Sequence, residues 1–210
     1  MTQVSTELKT EPKKKSKKPR GVGHMIWVDM EMSGLEPAKH RILEMAIVIT
    51  DAQLNVVTEP KIWVVKQPKA HLDKMDAWNR ATHKRSGLVE RVLTVGQTLT
   101  QVEIEAIAFL RQHTEKGMIP MCGNTIGQDR RFMQKYMPRL EAWFHYRNID
   151  VSTLKELAKR WHPEIQKGFT KKNAHTALAD VIESIEELRY YRQHWIVGQT
   201  DAAQINETSL

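Results

Sequence analysis

Apolar and polar positions alternate between two rhythms along this chain. Residues 25–30 are a short apolar run, followed by a second at 43–50 and a third at 61–66. The polar segment Asp51-Ala-Gln-Leu-Asn55 reads as a turn between the second and third. Three runs in quick succession predict an antiparallel meander. From residue 72 the rhythm lengthens: 72–82 reads as helical. A clearer helix opens at Thr100, where Glu103 three residues later completes a capping box, and Val102, Ala106, Phe109 and Leu110 form its apolar stripe. Residues 119–122 return as a strand, 129–136 as a helix stopped by Pro138, and 145–149 as a fifth strand. Thr153 and Glu156 suggest a second capping box, with Leu154, Leu157, Ala158 and Trp161 on the core side. The last helix spans roughly 176–194, where Leu178, Val181, Ile182, Ile185, Leu188 and Tyr191 keep helical spacing. Strands first, then alternating helices and strands, predict an α/β fold with a mixed five-stranded sheet flanked by helices.

The 210 residues suit one domain with a substantial core. Residues 1–22 read as a basic disordered arm, 23–197 as the folded domain and 198–210 as a disordered polar tail. No apolar run approaches the ~20 residues that span a bilayer, and no apolar stretch precedes the basic arm, so neither a membrane partner nor a secretory signal is expected. The lone Cys122 permits no intrachain disulfide, which fits a reducing, cytoplasmic setting. The net charge of +7 is concentrated in the arm: seven basic and two acidic residues among the first 20 contribute +5. The remaining body is close to neutral. Such a body suits a short anionic substrate held by a few specific contacts better than a long nucleic-acid backbone tracked along a basic groove.

Chemistry enters with three acidic motifs in order: Asp29-Met-Glu31 at the end of the first apolar run, Asp129 in Asn124-Thr-Ile-Gly-Gln-Asp129, and His175-Thr-Ala-Leu-Ala-Asp180. Asp29 and Glu31, two apart on a strand, project from one face. Hard oxygen donors on a rigid element suit Mg²⁺ or Mn²⁺. A solvated strand end explains the pair alone equally well, as a helix-start carboxylate explains Asp129 and a surface or capping group explains His175. Together, four carboxylates and an imidazole are the inventory for holding two divalent cations and deprotonating a water, the chemistry of phosphodiester cleavage. Asp150 reads as structural, because a helix cap follows it. The chain has no Gly-x-x-x-x-Gly-Lys-Ser/Thr loop, His-Glu-x-x-His, Cys-x-x-Cys or Gly-x-Ser-x-Gly motif.

The order of these motifs resembles the histidine branch of the Asp-Glu-Asp-Asp exonuclease superfamily, which has an RNase H-like fold. A narrower resemblance covers most of residues 25–196. Ile26-Trp-Val-Asp-Met-Glu-Met-Ser-Gly-Leu35, Met75-Asp-Ala-Trp-Asn79, Thr82-His-Lys-Arg-Ser-Gly-Leu88, Cys122-Gly-Asn-Thr-Ile-Gly-Gln-Asp-Arg-Arg-Phe132 and Phe144-His-Tyr-Arg-Asn-Ile-Asp-Val-Ser-Thr-Leu-Lys-Glu-Leu157 are similar to oligoribonucleases. The resemblance implies a homodimeric 3′→5′ exoribonuclease that degrades short single-stranded RNA, dinucleotides especially, to 5′-mononucleotides with two cations, Mg²⁺ or Mn²⁺. It implies that Asp29, Glu31, Asp129 and Asp180 hold the metal and that His175 is the general base. It places Leu35 as a wedge between bases and Trp78 against a base. His83, Thr125, Arg147 and Ser152 would close around the substrate's 5′-phosphate, and Tyr146 would come from the partner subunit. Thr125 stands where serine is expected. Asn124 is a further substrate-binding candidate, which turn chemistry explains nearly as well. A proofreading-type exodeoxyribonuclease and a non-catalytic RNA-binding protein are the competing readings. The near-neutral body disfavours the first, and the complete set of five catalytic residues disfavours the second.

Overall fold

A computed structural model describes residues 20–170 and 175–196. The expected arm and tail lie outside these residues, except that 20–22 form part of a turn. Five strands build one sheet: β1 (Met25–Met32), β2 (Ile42–Thr50), β3 (Lys61–Val64), β4 (Met121–Gly123) and β5 (Asn148–Asp150). Their order is β3-β2-β1-β4-β5. β1, β2 and β3 pair antiparallel, as the closely spaced apolar runs predict, while β4 and β5 add in parallel. The sheet is therefore mixed and five-stranded.

Helices α1 (Lys69–Leu72), α2 (Ala77–Arg85), α3 (Leu88–Thr94) and α4 (Leu99–His113) lie between β3 and β4. Helices α5 (Ile126–Tyr136) and α6 (Pro138–Glu141) lie between β4 and β5. Then come α7 (Val151–Trp161), α8 (Pro163–Lys167) and α9 (Ala177–Tyr191), which runs into a π-helical turn, Arg192–Ile196.

Side-chain alternation divides the core. Ile26, Val28 and Met30 pack with Met45, Ile47 and Ile49 and with Val102, Ala106, Phe132 and Met133, so α4 and α5 cover that face. Trp27, Ala46, Val48 and Cys122 face the other way, against Ala158 of α7 and Val181 and Ile185 of α9. Asp29 and Glu31 share the parity of Trp27. They therefore point from β1 towards the face that α9 covers.

Several local readings differ from the structure. The expected helix over 72–82 is two helices, broken where Asp76 caps α2 by accepting the Asn79 N–H at 2.8 Å. The cap of α4 is Thr98, not Thr100; Glu103 is buried and accepts the backbone N–H groups of Arg139 and Leu140 instead. The cap of α7 is Asp150, which accepts the Ser152 N–H, and Thr153 lies inside the helix. Pro138 ends α5 as expected but also opens α6, as a first-turn proline can. The strand expected at 145–149 is shorter and begins at Asn148.

Candidate active site

The site forms where β1 ends. Asp29 and Glu31 are held by the β1–β2 ladder, in register with Ala46 and Glu44. The register shifts between Glu31 and Met32, an irregularity of the kind that re-aims side chains beside active sites. Asp180 comes from the first turn of α9. One ligand atom from each of Asp29, Glu31 and Asp180 lies within 4.8 Å of the other two. Among the described residues this is the carboxylate group fit to hold a metal ion.

Asp129 arrives from the opposite face. Its helix, α5, buries Phe132 and Met133 against the Met30 side of the sheet. Its carboxylate Oδ1 accepts the Met30 N–H at 2.9 Å. Asp129 is thus tied to the residue between Asp29 and Glu31, beside the trio. Burial, foremost, raises its pKa well above the usual carboxylate range. Glu31 is pushed up to about 7 by burial, then by the charges of Asp180 and Glu44. Crowded carboxylates with raised proton affinity are a set that a divalent cation would satisfy. The donor set is all oxygen, which fits Mg²⁺ or Mn²⁺ chemistry.

His175 precedes α9 with a left-handed backbone, φ 52°, uncommon for a non-glycine residue. Its ring meets the edge of Trp78, with centroids 5.8 Å apart and planes at 88°. Residues 171–174, just before it, lie outside the described residues. Trp78 and Leu35 are exposed, at 62% and 71%. The Leu35 carbonyl accepts a hydrogen bond from the Gln128 side chain, which ties the β1–β2 loop to α5.

The phosphate candidates divide into two groups. The Thr125 N–H donates to Asp150 Oδ1 and Ser152 Oγ, both at 2.9 Å, and the Thr125 and Ser152 hydroxyls are 3.0 Å apart. Ser152 Oγ donates to Asn124 Oδ1 at 3.0 Å, and Asn124 Nδ2 donates to Ser184 Oγ at 2.8 Å and Glu187 Oε2 at 3.0 Å. Ser184 Oγ in turn donates to the Asp180 carbonyl. A continuous polar chain therefore links Thr125 to the helix that carries Asp180. Thr125 itself is left-handed, φ 52°, at the β4–α5 junction. His83, by contrast, is buried. Its Nε2 lies 2.9 Å from the Met32 carbonyl, and its Nδ1, without a hydrogen-bond partner, lies 3.9 Å from Glu31 Oε2. Burial lowers its pKa, so the ring is neutral near pH 7. Tyr146 is 74% exposed, stacked on His145 and under the Arg147 guanidinium.

Two acidic residues were not among the sequence candidates. Asp150, read as structural with the cap placed after it, is itself the cap of α7 and also fixes Thr125. Glu44 is buried in the middle of β2 and accepts the Ala177 N–H at 3.2 Å. A carboxylate inside the otherwise apolar run Ile42-Leu-Glu-Met-Ala-Ile-Val-Ile-Thr50 is the signal that marks it.

A mixed sheet with acidic residues clustered at the end of its first strand defines the class as an exonuclease domain. The exonuclease family typified by RNase T matches residues 26–188, and the chain is a nuclease, a phosphodiester hydrolase. The chain belongs to the oligoribonuclease family. It is 56% identical over 189 residues to the oligoribonuclease of Ralstonia nicotianae, covering 89% of this chain and 86% of that one. It is 57% identical over 173 residues to that of Thiobacillus denitrificans, covering 82% and 95%. The fold also matches exonuclease I: a zinc-bound E. coli complex with single-stranded DNA superposes with a TM-score of 0.63 at 17% identity, over 83% of this chain. This chain spans only 41% of that one's length, and the likeness is one of fold. No described helix is long and apolar enough to cross a membrane.

Proposed function

We propose that this chain is a metal-dependent 3′→5′ exoribonuclease that converts short oligoribonucleotides, above all 5′-phosphorylated dinucleotides, to 5′-mononucleotides as a cytoplasmic homodimer. The observation that carries the chemistry is the convergence of Asp29, Glu31 and Asp180 within 4.8 Å. The oligoribonuclease relatives support the RNA substrate.

Asp29, Glu31 and Asp180 would hold one divalent cation, Mg²⁺ or Mn²⁺, with Asp129 and Asp29 serving a second. Two such ions supply Lewis-acid stabilisation of the scissile phosphate and of both in-line oxygens. His175 accepts the proton of the attacking water, the role an imidazole fills as general base. Trp78, whose indole flanks His175, offers a stacking face to a base, typically ~1–3 kcal/mol per base. Leu35 wedges between the two bases. The hydroxyls of Thr125 and Ser152, with Arg147, receive the 5′-phosphate, and a third nucleotide would need that space. Asn124 orients Ser152 through its side-chain carbonyl. His83 acts from beneath Glu31, where its Nδ1 faces the carboxylate. Tyr146 projects into solvent and would reach the partner subunit's substrate.

Product analysis tests this directly, with 5′-phosphorylated RNAs of two and seven nucleotides in the presence of metal or chelator. Rapid, metal-dependent conversion of the dinucleotide with slower turnover of the longer strand is the expected result. Preference for the longer strand would discard the phosphate cap.

A further inference from the structure

The first turn of α9 carries Asp180, and His175 lies two residues before the helix begins. That turn has no local cap: Thr176 occupies the N-cap position with extended backbone angles, φ −132° and ψ 139°, and its side chain makes no capping bond. A helix start leaves up to four N–H groups without intrahelical partners. Here the partner comes from another layer. Glu44 Oε1, on β2, accepts the N–H of Ala177, the first residue of α9, and its charge opposes the positive end of the helix dipole. The other oxygen, Oε2, is paired with the Arg91 guanidinium from α3. Glu44 is 2% exposed, so both its oxygens are committed inside the protein. The same residue is the register partner of Glu31 across the β1–β2 ladder. One side chain thus joins the strand pair that carries Asp29 and Glu31 to the helix start that carries Asp180 and His175.

We propose that Glu44, anchored by Arg91, is a positioning residue that caps α9 and sets Asp180 and His175 against Asp29 and Glu31. The left-handed backbone of His175 makes this setting necessary. A non-glycine residue at φ 52° persists only where its surroundings hold it, and the capped helix start is one side of that hold; the Trp78 ring is the other. Arg91 keeps the Glu44 carboxylate in place and offsets a charge that would otherwise lie uncompensated beside Glu31. The bonds of Glu44 run to Ala177 and Arg91 and not to Trp78, Thr125 or Ser152, so its loss should act on turnover rather than on substrate affinity.

The test compares Glu44→Ala, Glu44→Gln and Arg91→Lys with Val102→Ala, a core truncation on the opposite face of the sheet. Amide hydrogen exchange at residues 177–180 is read first. In E44A these amides should exchange at least about tenfold faster, while those of α4 stay protected. This arm needs no catalysis and so is independent of the proposed dinucleotide substrate. The kinetic arm rests on that function. E44A should lower kcat for the dinucleotide about 100-fold, as expected when catalytic groups shift by about an ångström. E44Q, which keeps an acceptor oxygen for the Ala177 N–H, should lower kcat only about tenfold, and R91K, which keeps the charge, less still. KM should stay within about threefold in all three. V102A should lower Tm and leave kcat unchanged. Should E44A refuse to fold, the same split in E44Q decides the matter. Unchanged exchange at 177–180, a kcat within about twofold of wild type in E44Q and E44A, or an equal loss of kcat in V102A, would each overturn the proposal. A wild type inactive on the dinucleotide, with fast exchange in E44A, would instead sink the proposed substrate and keep the cap.

Discussion

Replacing Glu31 by glutamine should stabilise the metal-free protein while abolishing its chemistry. Glu31 is largely buried, and burial with the nearby charges of Asp180 and Glu44 raises its pKa from 4.5 to about 7. A carboxyl whose folded pKa exceeds its unfolded one binds protons more tightly in the native state. Its contribution to stability is fully present below pH 4.5 and is lost as pH rises through about 7. At roughly 1.4 kcal/mol per unit, the difference between the two pKa values corresponds to about 3 kcal/mol. Glutamine has the same shape and does not titrate, so it escapes that loss. The gap between E31Q and wild type should be near zero at pH 4.5 and approach about 3 kcal/mol at pH 8, which for a domain of this size is about 6–12 °C in Tm. Asp129 titrates in both proteins and largely cancels. Divalent cation should narrow or reverse the gap, because wild type gains more from binding: about 2.7 kcal/mol when free cation is a hundred times its Kd. The assay is urea unfolding at pH 4.5, 6, 7 and 8, in chelator and in Mg²⁺. An E31Q protein no more stable than wild type at pH 8 in chelator, or a gap that does not grow with pH, would refute the electrostatic argument.

Asp29→Ala should reduce dinucleotide turnover by on the order of 10³-fold or more, measured by product release. His175→Ala should lower kcat for the dinucleotide by about 10²–10⁴-fold, measured by steady-state product release. Asn124→Ala removes the donor to Glu187 and Ser184 and the acceptor of Ser152. It should cost about 1–3 kcal/mol in urea unfolding and raise KM for the 5′-phosphorylated dinucleotide more than for the same dinucleotide without the phosphate. Cys122 is fully buried, and its thiol is pushed up to about 12. It should resist alkylation at pH 8 in the native protein and react on unfolding, read by mass spectrometry.

Four strands were legible because each holds an apolar run bounded by turn residues, and the closest runs paired first; β5, Asn148-Ile-Asp150, holds a single apolar residue, and its expected start fell three residues early. The three acidic motifs were legible because their order is local information. The helix starts were less so. A capping box is a rule about residues three apart, yet Glu103 has tertiary N–H groups of Arg139 and Leu140 within reach and uses those, leaving Thr98 to cap α4. In α7 the same competition gives the cap to Asp150. The helix α3 follows a left-handed glycine, Gly87 at φ 71°, which breaks the chain where the apolar pattern alone gives no stop. His83 stands within a motif similar to the family's phosphate-closing residue, but its spacing says nothing of depth. The structure buries it against Met32 and Glu31.

The division of the acidic residues between the two faces of the sheet could not be read from spacing at all. Asp29 and Glu31 share one side of β1 by strand periodicity, and α9 crosses that side, so Asp180 joins them directly. Asp129 rides on α5, whose apolar residues belong to the other side, and it reaches the site by bonding the backbone of Met30 at the sheet's end. The site is therefore assembled from both layers around one strand terminus. Rigidity of β1 alone cannot fix it; the two helices must also be held at their starts. For α5 the tie runs from Gln128 to the Leu35 carbonyl and from Thr125 to Asp150 and Ser152. For α9 it is the Glu44 carboxylate. A buried glutamate in the middle of an apolar strand is costly to keep unless its charge is paired and its oxygens are bonded, and here both conditions are met by Arg91 and Ala177. That cost is explained by where α9 must begin, because the helix start is what brings Asp180 to the strand that carries its two partners.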